Sequence, residues 1–337
     1  MDVRPITRCA LATLALTLSA SAANAQGFYQ GKTLEIVVFG AAGDSYDTLS
    51  RLVGRHIGKH LPGNPTVIVR TMPGAGGIVV ANHLYNLAAR NGTVIGMLDQ
   101  SIFETQLFSP GSVKADVRKM NWIGRVISNN AGLYSWHAAT VKRIEDSYTQ
   151  ELIVSSSGRA SQIRWTMLKN LVGVKFKLIT GHKGATEGLL GMERGEVDAV
   201  SMPWTVFRVL RADWLRDKKV NVLLQTGLDK APDLPDVPRL IDLGRDAEQR
   251  TILELFSQSE KIGRSFTAPP DMPPERVAEL RAAYAATMQD ADFLADAKVA
   301  NVELDPMSGA DLQAIIAKFF NHPPALVAKA LALTKME

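Results

Sequence analysis

Two apolar runs near the start of the chain, Leu34 to Phe39 (LEIVVF) and Thr66 to Arg70 (TVIVR), have the length and β-branched content of strands. Each runs into a turn marked by glycine. The first is Phe39-Gly40-Ala41-Ala42-Gly43-Asp44-Ser45-Tyr46-Asp47, the second Thr71-Met72-Pro73-Gly74-Ala75-Gly76-Gly77. Beyond the turns, apolar residues recur at intervals of three and four: Leu49, Leu52, Val53, Ile57 and Leu61, then Ala81, Leu84, Tyr85 and Ala88. That spacing predicts one buried helix face in each case. Two strand-turn-helix units in succession imply parallel strands with both helix N-termini opening at one sheet edge. Unpaired amides and the positive ends of two helix dipoles converge there, which makes a ready site for an anion.

The same logic recurs downstream. A third strand, Val94 to Leu98, follows the loop Ala89-Arg90-Asn91-Gly92, and a loop-rich section covers Ser109 to Asn121. A second α/β run opens near Glu151 with strand Leu152 to Val154, the polar turn Ser155-Ser156-Ser157-Gly158-Arg159-Ala160-Ser161 and a helix to Leu171. Strand Lys175 to Ile179 leads through Thr180-Gly181-His182-Lys183-Gly184-Ala185-Thr186 into a helix ending at Arg194. Strands follow at Ala199 to Met202 and Val220 to Gln225, while Pro232, Pro235 and Pro238 exclude regular structure between Ala231 and Pro238. The last third is predicted helical, over Pro274 to Met288, Asp290 to Ala300 and Ser308 to Phe320, with start signals at Pro273-Pro274 and Ser308.

The ends and the charge narrow the class. Arg4 and Arg8, the apolar stretch Ala10 to Ala20 and the small-residue series Ala23-Asn24-Ala25 read as a signal peptide over residues 1–25, so the mature chain is expected to begin at Gln26. The single cysteine, Cys9, leaves with that segment, taking with it any disulfide, thiolate nucleophile or cysteine metal site. Export of so long a chain without disulfides suits a bacterial periplasm, where a large core supplies the stability. The remaining length suggests two α/β domains. The net charge of +4 is scattered, with no basic-aromatic patch of the kind that reads nucleic acid.

The candidate binding residues sit on the turns. Gly40, Ala42, Ser45 and Asp47 of the first, and Ala75, Gly76 and Gly77 of the second, are read as ligand contacts, against ordinary turn chemistry. Asp44 is placed as a helix N-cap that also puts a negative group at the rim. Ser157, Arg159 and Ser161 form a second polar helix entry able to hold a carboxylate, and His182, Lys183 and Gly184 form another strand-to-helix turn read as a ligand contact. Asp198 either holds a ligand ammonium or ends a loop, and Trp204 either walls the pocket or is simply buried. Catalytic signatures are missing: there is no Gly-x-Ser-x-Gly elbow, no phosphate-loop pattern and no complete dinucleotide fingerprint. His56 and His60 have metal-ligand spacing on one helix, yet without a supporting motif they read as surface residues, and neither metal nor cofactor is expected.

Several blocks together resemble the solute-binding receptors of tripartite tricarboxylate transporters, also called Bug proteins. They are Gly31-Lys32-Thr33, Asp47 with Arg51, Leu61-Pro62-Gly63-Asn64-Pro65, Met72-Pro73-Gly74-Ala75-Gly76-Gly77, Asn91-Gly92-Thr93, Gly181, Gly184, Gly195-Glu196-Val197-Asp198, Leu234-Pro235-Asp236-Val237-Pro238 and Ala268-Pro269-Pro270. The resemblance implies an α/β, type II periplasmic binding-protein fold: two doubly wound lobes with a ligand cleft between them. By the same analogy residues 26–124 and 251–337 form one lobe and residues 125–250 the other. The sequence departs from the family pattern at Asp44, at His182 and Lys183, and at Thr71.

The expected function is capture of a small organic carboxylate by a monomeric receptor, mainly through backbone amides and hydroxyls, and its delivery to cognate inner-membrane transporter subunits. Two other classes remain open. One is an exported hydrolase or isomerase using Asp44, Asp47 or His182 as acid-base groups. The other is a ligand sensor for a membrane signalling partner.

Overall fold

The computed structural model describes residues 27–156, 159–182 and 184–335; the side chains of residues 159 and 160 lie outside that description. The expected signal segment and Gln26 therefore fall outside the described residues.

The chain opens as the hydrophobic pattern dictates. Strand β1 (Thr33–Val38) leads through the first turn into α1 (Ser45–Ile57), and β2 (Thr66–Thr71) leads through the second into α2 (Ile78–Asn86). Strand β3 (Val94–Met97) and helix α3 (Ser101–Phe108) follow. Strand β1 pairs in parallel with β2 on one side and β3 on the other, so the turns after β1 and β2 emerge at one edge. Strand β1 alternates strictly: Leu34, Ile36 and Val38 pack beneath α1, whereas Val37 faces the opposite layer. Leu49, Leu52, Val53 and Ile57 are buried, as the spacing predicts.

Residues 121–136 form two strands that the reading of the sequence passed over. Strand β4 (Asn121–Ile127) belongs to the first sheet and β5 (Ala131–Trp136) to the second, so the chain changes sheets through residues 128–130. The anticipated boundary at 124/125 falls inside β4. The second sheet continues with β6 (Leu152–Ser155), α4 (Arg159–Val172), β7 (Phe176–Ile179), α5 (Ala185–Glu193) and β8 (Ala199–Pro203). Helices α6 (Trp204–Leu210) and α7 (Ala212–Arg216) then lead to β9 (Val220–Gln225). Its strand order is β7-β6-β8-β5-β9, with β5 antiparallel to both neighbours.

Helix α8 (Ala247–Ile262) carries the chain back, across the anticipated 250/251 boundary, and Gly263 turns it into β10 (Arg264–Ala268). Gly263 has φ +57°, and a Cβ there would lie 2.2 Å from the Ile127 carbonyl oxygen, so only glycine fits where the two crossings meet. Helices α9 (Pro274–Thr287) and α10 (Ala291–Val299), strand β11 (Met307–Ser308) and helices α11 (Gly309–Phe320) and α12 (Pro324–Leu333) complete the chain. The first sheet has the order β11-β4-β10-β3-β1-β2, with β10 antiparallel to β3 and β4. Both sheets are thus mixed, with β1 and β2 parallel as the two strand-turn-helix units imply.

One apolar cluster joins the halves. It runs from Val37, Leu84 and Phe103 through Phe256 and Ile262 of α8 to Trp165 and Val154 beside the second sheet. Helix α12 packs on both α4 and α3, so the C-terminal segment touches elements of both halves.

Candidate functional site

The first turn is held by two carboxylates that bind its own donors. Asp44 accepts from the backbone N–H groups of Ala41 (2.9 Å), Tyr46 (2.8 Å) and Asp47 (2.9 Å), capping α1. Gly40 has φ +110°, and a Cβ on it would fall 2.0 Å from Asp44 Oδ2, so the cap requires glycine there. Asp47 is buried, accepting from the Gly43 N–H at 2.8 Å and from Arg51 Nε at 3.0 Å. The hydrogen bond from Arg51 holds its carboxyl below the usual range. Asp47, expected as a ligand contact, is engaged within the turn by these two donors. Ala42 and Ser45 are left exposed at the rim.

The second turn places Gly74, Ala75, Gly76 and Gly77 in succession at positive φ (143°, 45°, 58° and 84°). Gly77 closes it by donating to the Gly74 carbonyl at 3.1 Å, and a Cβ on Gly77 would sit 2.9 Å from Asp99 Cβ. Ala75 and Gly76 face a cavity of about 570 Å³ that also takes in Ser101, Glu104 and Thr105 of α3, Gln162 and Ile163 of α4, and Leu331 and Thr334. Elements of both sheets therefore line one space. Glu104 is 5% exposed and accepts from Ser259 Oγ at 2.7 Å; burial pushes its carboxyl up to about 7.

In the second half, Ser161 pairs with Ser156 (Oγ to Oγ, 3.1 Å) at the entry to α4. His182 Nδ1 lies 2.8 Å from Ser155 Oγ, which ties this turn to the end of β6. Gly184 has open space where a Cβ would be. Ser157, Lys183 and the side chain of Arg159 lie outside the described residues. Asp198 does not join the group. Its Oδ2 accepts from the Ile153 N–H at 3.0 Å, and because β6 and β8 are parallel it lies at the strand ends opposite the Ser155–Ser161 turn. Trp204 is buried, with Nε1 donating to Asp233 at 2.8 Å.

His56 pairs with Asp296 of α10 and His60 with Asp290, the N-cap of that helix, each at 2.9 Å. Among the described residues no group of three or more ligating side chains is positioned to hold a metal.

What sequence reading missed is a charged cluster between the halves. Arg164 of α4 pairs with Glu260 of α8, both buried. Burial raises the Glu260 carboxyl, while Arg164, Gln100, Asn129 and, at longer range, Arg264 oppose the shift. Arg264, the first residue of β10, is 9% exposed; its Nη2 donates to Ser45 Oγ at 3.1 Å and its guanidinium lies 4.9 Å from the centre of the Tyr46 ring. The polar stretch Ser257-Gln258-Ser259-Glu260-Lys261 gives no local sign that its carboxylate is buried.

Comparisons with known proteins agree with this geometry. The chain matches the family described as "Tripartite tricarboxylate transporter family receptor" (TctC) over residues 49–330. In fold it is similar to a TctC solute-binding protein from Polaromonas, at 20% identity and a TM-score of 0.67, covering 89% of this chain and 97% of that one. It is also similar to a protein from R. palustris determined with adipate (16% identity, TM-score 0.63, 89% and 97% covered). A third is MatC from Rhodopseudomonas palustris with bound malate (18% identity, TM-score 0.60, 90% and 99% covered). No curated protein sequence matches the chain. The chain belongs to the tripartite tricarboxylate transporter receptor family and has the α/β fold of its periplasmic binding proteins.

Proposed function

We propose that this receptor is exported, loses residues 1–25, captures a small organic carboxylate in the periplasm and presents it to the membrane subunits of a tripartite transporter. The observation that carries this reading is the meeting of the two glycine turns at one edge of the first sheet, with the second turn and α4 lining a common cavity. Helix N-termini and positive-φ turns present backbone N–H groups to an anion without bulky side chains in the way. The adipate and malate in the R. palustris structures of similar fold support carboxylates as the class. Gly40, Ala42 and Ser45, Ala75, Gly76 and Gly77, and on the other side Ser157, Arg159, Ser161, His182, Lys183 and Gly184 are the proposed lining. Water bridges between these groups and the acid would tolerate variation in the rest of the ligand.

The lobes in this proposal are centred on the two sheets and hinge at residues 128–130 and Gly263, the points where the chain crosses. Ligand binding shifts the balance toward the closed arrangement. We propose no catalysis: Asp44 and Asp47, the candidate acid-base groups of the first turn, are engaged by their own helix, and His182 by Ser155.

The test is a thermal-shift screen of the mature protein against mono-, di-, tri- and aromatic carboxylates, with calorimetry on the hits and recovery of the acid after release. A raised midpoint for at least one acid, recovered unchanged, is expected. Turnover of the acid would favour the enzyme reading, and stabilisation by none would remove the carboxylate.

A further inference from the structure

One of the charges buried between the halves has no ion-pair partner of its own. Two buried arginines, Arg164 and Arg264, approach one buried carboxylate, Glu260, which is paired with Arg164. Glu104 is also buried there, and Asp99 adds a carboxylate that is hydrogen-bonded to the Tyr46 side chain, not paired with an arginine. Among the described residues no carboxylate lies within ion-pair distance of Arg264. Its polar contacts are one hydrogen bond to the neutral Ser45 hydroxyl and the face of the Tyr46 ring, while its Nε is buried without a partner. A buried guanidinium left in that condition is costly, and natural proteins retain one where a counter-ion arrives.

We propose that Arg264 is the charged anchor of the binding site, and that the missing counter-ion is a carboxylate group of the ligand held between its guanidinium and the first turn. The inference rests on the carboxylate-receptor reading above and deepens it. It adds a full buried charge to a site expected to hold the acid mainly through amides and hydroxyls. The position explains why one residue would matter for closure as well as affinity. Arg264 directly follows Gly263, where the chain returns from the second sheet, and it reaches Ser45 at the start of α1. A carboxylate bound there touches the hinge and the first turn together. Charge-assisted, fork-shaped hydrogen bonding is the contact a guanidinium makes best with a carboxylate, and lysine reproduces the charge without the fork.

The experiment compares the mature wild-type protein with R264M and R264K, using malate and adipate as probes in calorimetry and thermal unfolding. Wild type is expected to bind at least one acid, R264M at least tenfold more weakly, and R264K in between. Without ligand, R264M is expected to melt at or above the wild-type temperature, because a purely structural arginine would lower it. Binding by R264M within twofold of wild type overturns the inference while leaving the receptor reading intact. If wild type binds neither acid, that reading loses these two acids, and the unliganded melting temperatures decide the inference alone. An unchanged or raised midpoint for R264M supports an unmet guanidinium, and a clearly lowered one overturns it.

Discussion

Arg164 of α4 and Glu260 of α8 form a buried ion pair that ties the second sheet's helical layer to the helix returning to the first. Glu260 also accepts from the Gln100 side chain at 3.5 Å, and its backbone carbonyl accepts from the Asn129 N–H at 2.9 Å. Replacing Arg164 with methionine strands a buried carboxylate and should destabilise the protein by about 3–5 kcal/mol, more at neutral pH than at pH 4, where Glu260 takes up a proton. The double variant Arg164→Met with Glu260→Leu removes both charges and should recover much of the loss. Denaturant unfolding of the single and double variants at two pH values measures this.

Glu104 should make stability fall as pH rises. Its carboxyl titrates at about 7 in the folded protein against an ordinary value of 4.5, so the native state holds the proton more tightly than the unfolded chain. Its favourable contribution is complete below pH 4.5 and is lost by about pH 7, with a size of roughly 3 kcal/mol. Glu104→Gln should flatten that part of the stability-pH curve. A residual slope is expected from Glu260, whose carboxyl is also raised. A variant curve as steep as wild type would contradict the assignment.

Asp44 gathers three backbone N–H groups, and losing them should show first in stability. Asp44→Ala is expected to lower it by about 1–2 kcal/mol. Asp44 also stands at an anion-attracting turn, so Asp44→Gly should favour multiply charged acids over singly charged ones, and added salt should shrink the difference. Affinities for a mono-, a di- and a tricarboxylate on both proteins separate the two effects. Equal shifts for all three leave Asp44 as a cap alone.

The glycines of the candidate site should differ sharply. Gly77→Ala puts a Cβ 2.9 Å from Asp99 Cβ at φ +84° and should weaken folding by about 1–2 kcal/mol while displacing the second turn. A Cβ on Gly76 meets no atom within 4 Å, but Gly76→Val is strained at φ +58° and adds bulk to the cavity lining, so ligand affinity should fall further than stability. Gly184 has an extended φ of 178° and open space, and Gly184→Ala should fold as wild type does. Parallel melts and calorimetry on the three variants test this ordering.

Asp198→Ala should destabilise by about 1 kcal/mol through loss of the Ile153 N–H acceptor, with ligand affinity unchanged. A large affinity loss without a stability change would return Asp198 to the site.

The local features were legible from the chain. Alternating and three-to-four spacing located β1, α1, β2 and α2, because a half-buried strand and an amphipathic helix each impose their own period on side chains. Glycine positions marked the turns, since positive φ at Gly40, Gly76 and Gly77 is a constraint the sequence must meet locally. The family pattern carried the fold class. Strands β4 and β5 were hidden because, running between two sheets, they are buried on both faces and show no alternation. The sheet exchange at residues 128–130, the partnership of Asp198 with Ile153 and the inward turn of Asp47 depend on which strand ends the topology brings together. Arg164, Glu260 and Arg264 lie as much as 100 positions apart, and neither their burial nor the lack of an ion pair at Arg264 exists until α4, α8 and β10 pack against one another. Local periods arise from neighbours within a few residues, whereas the balance of buried charge arises from contacts across the chain, which only the tertiary structure supplies.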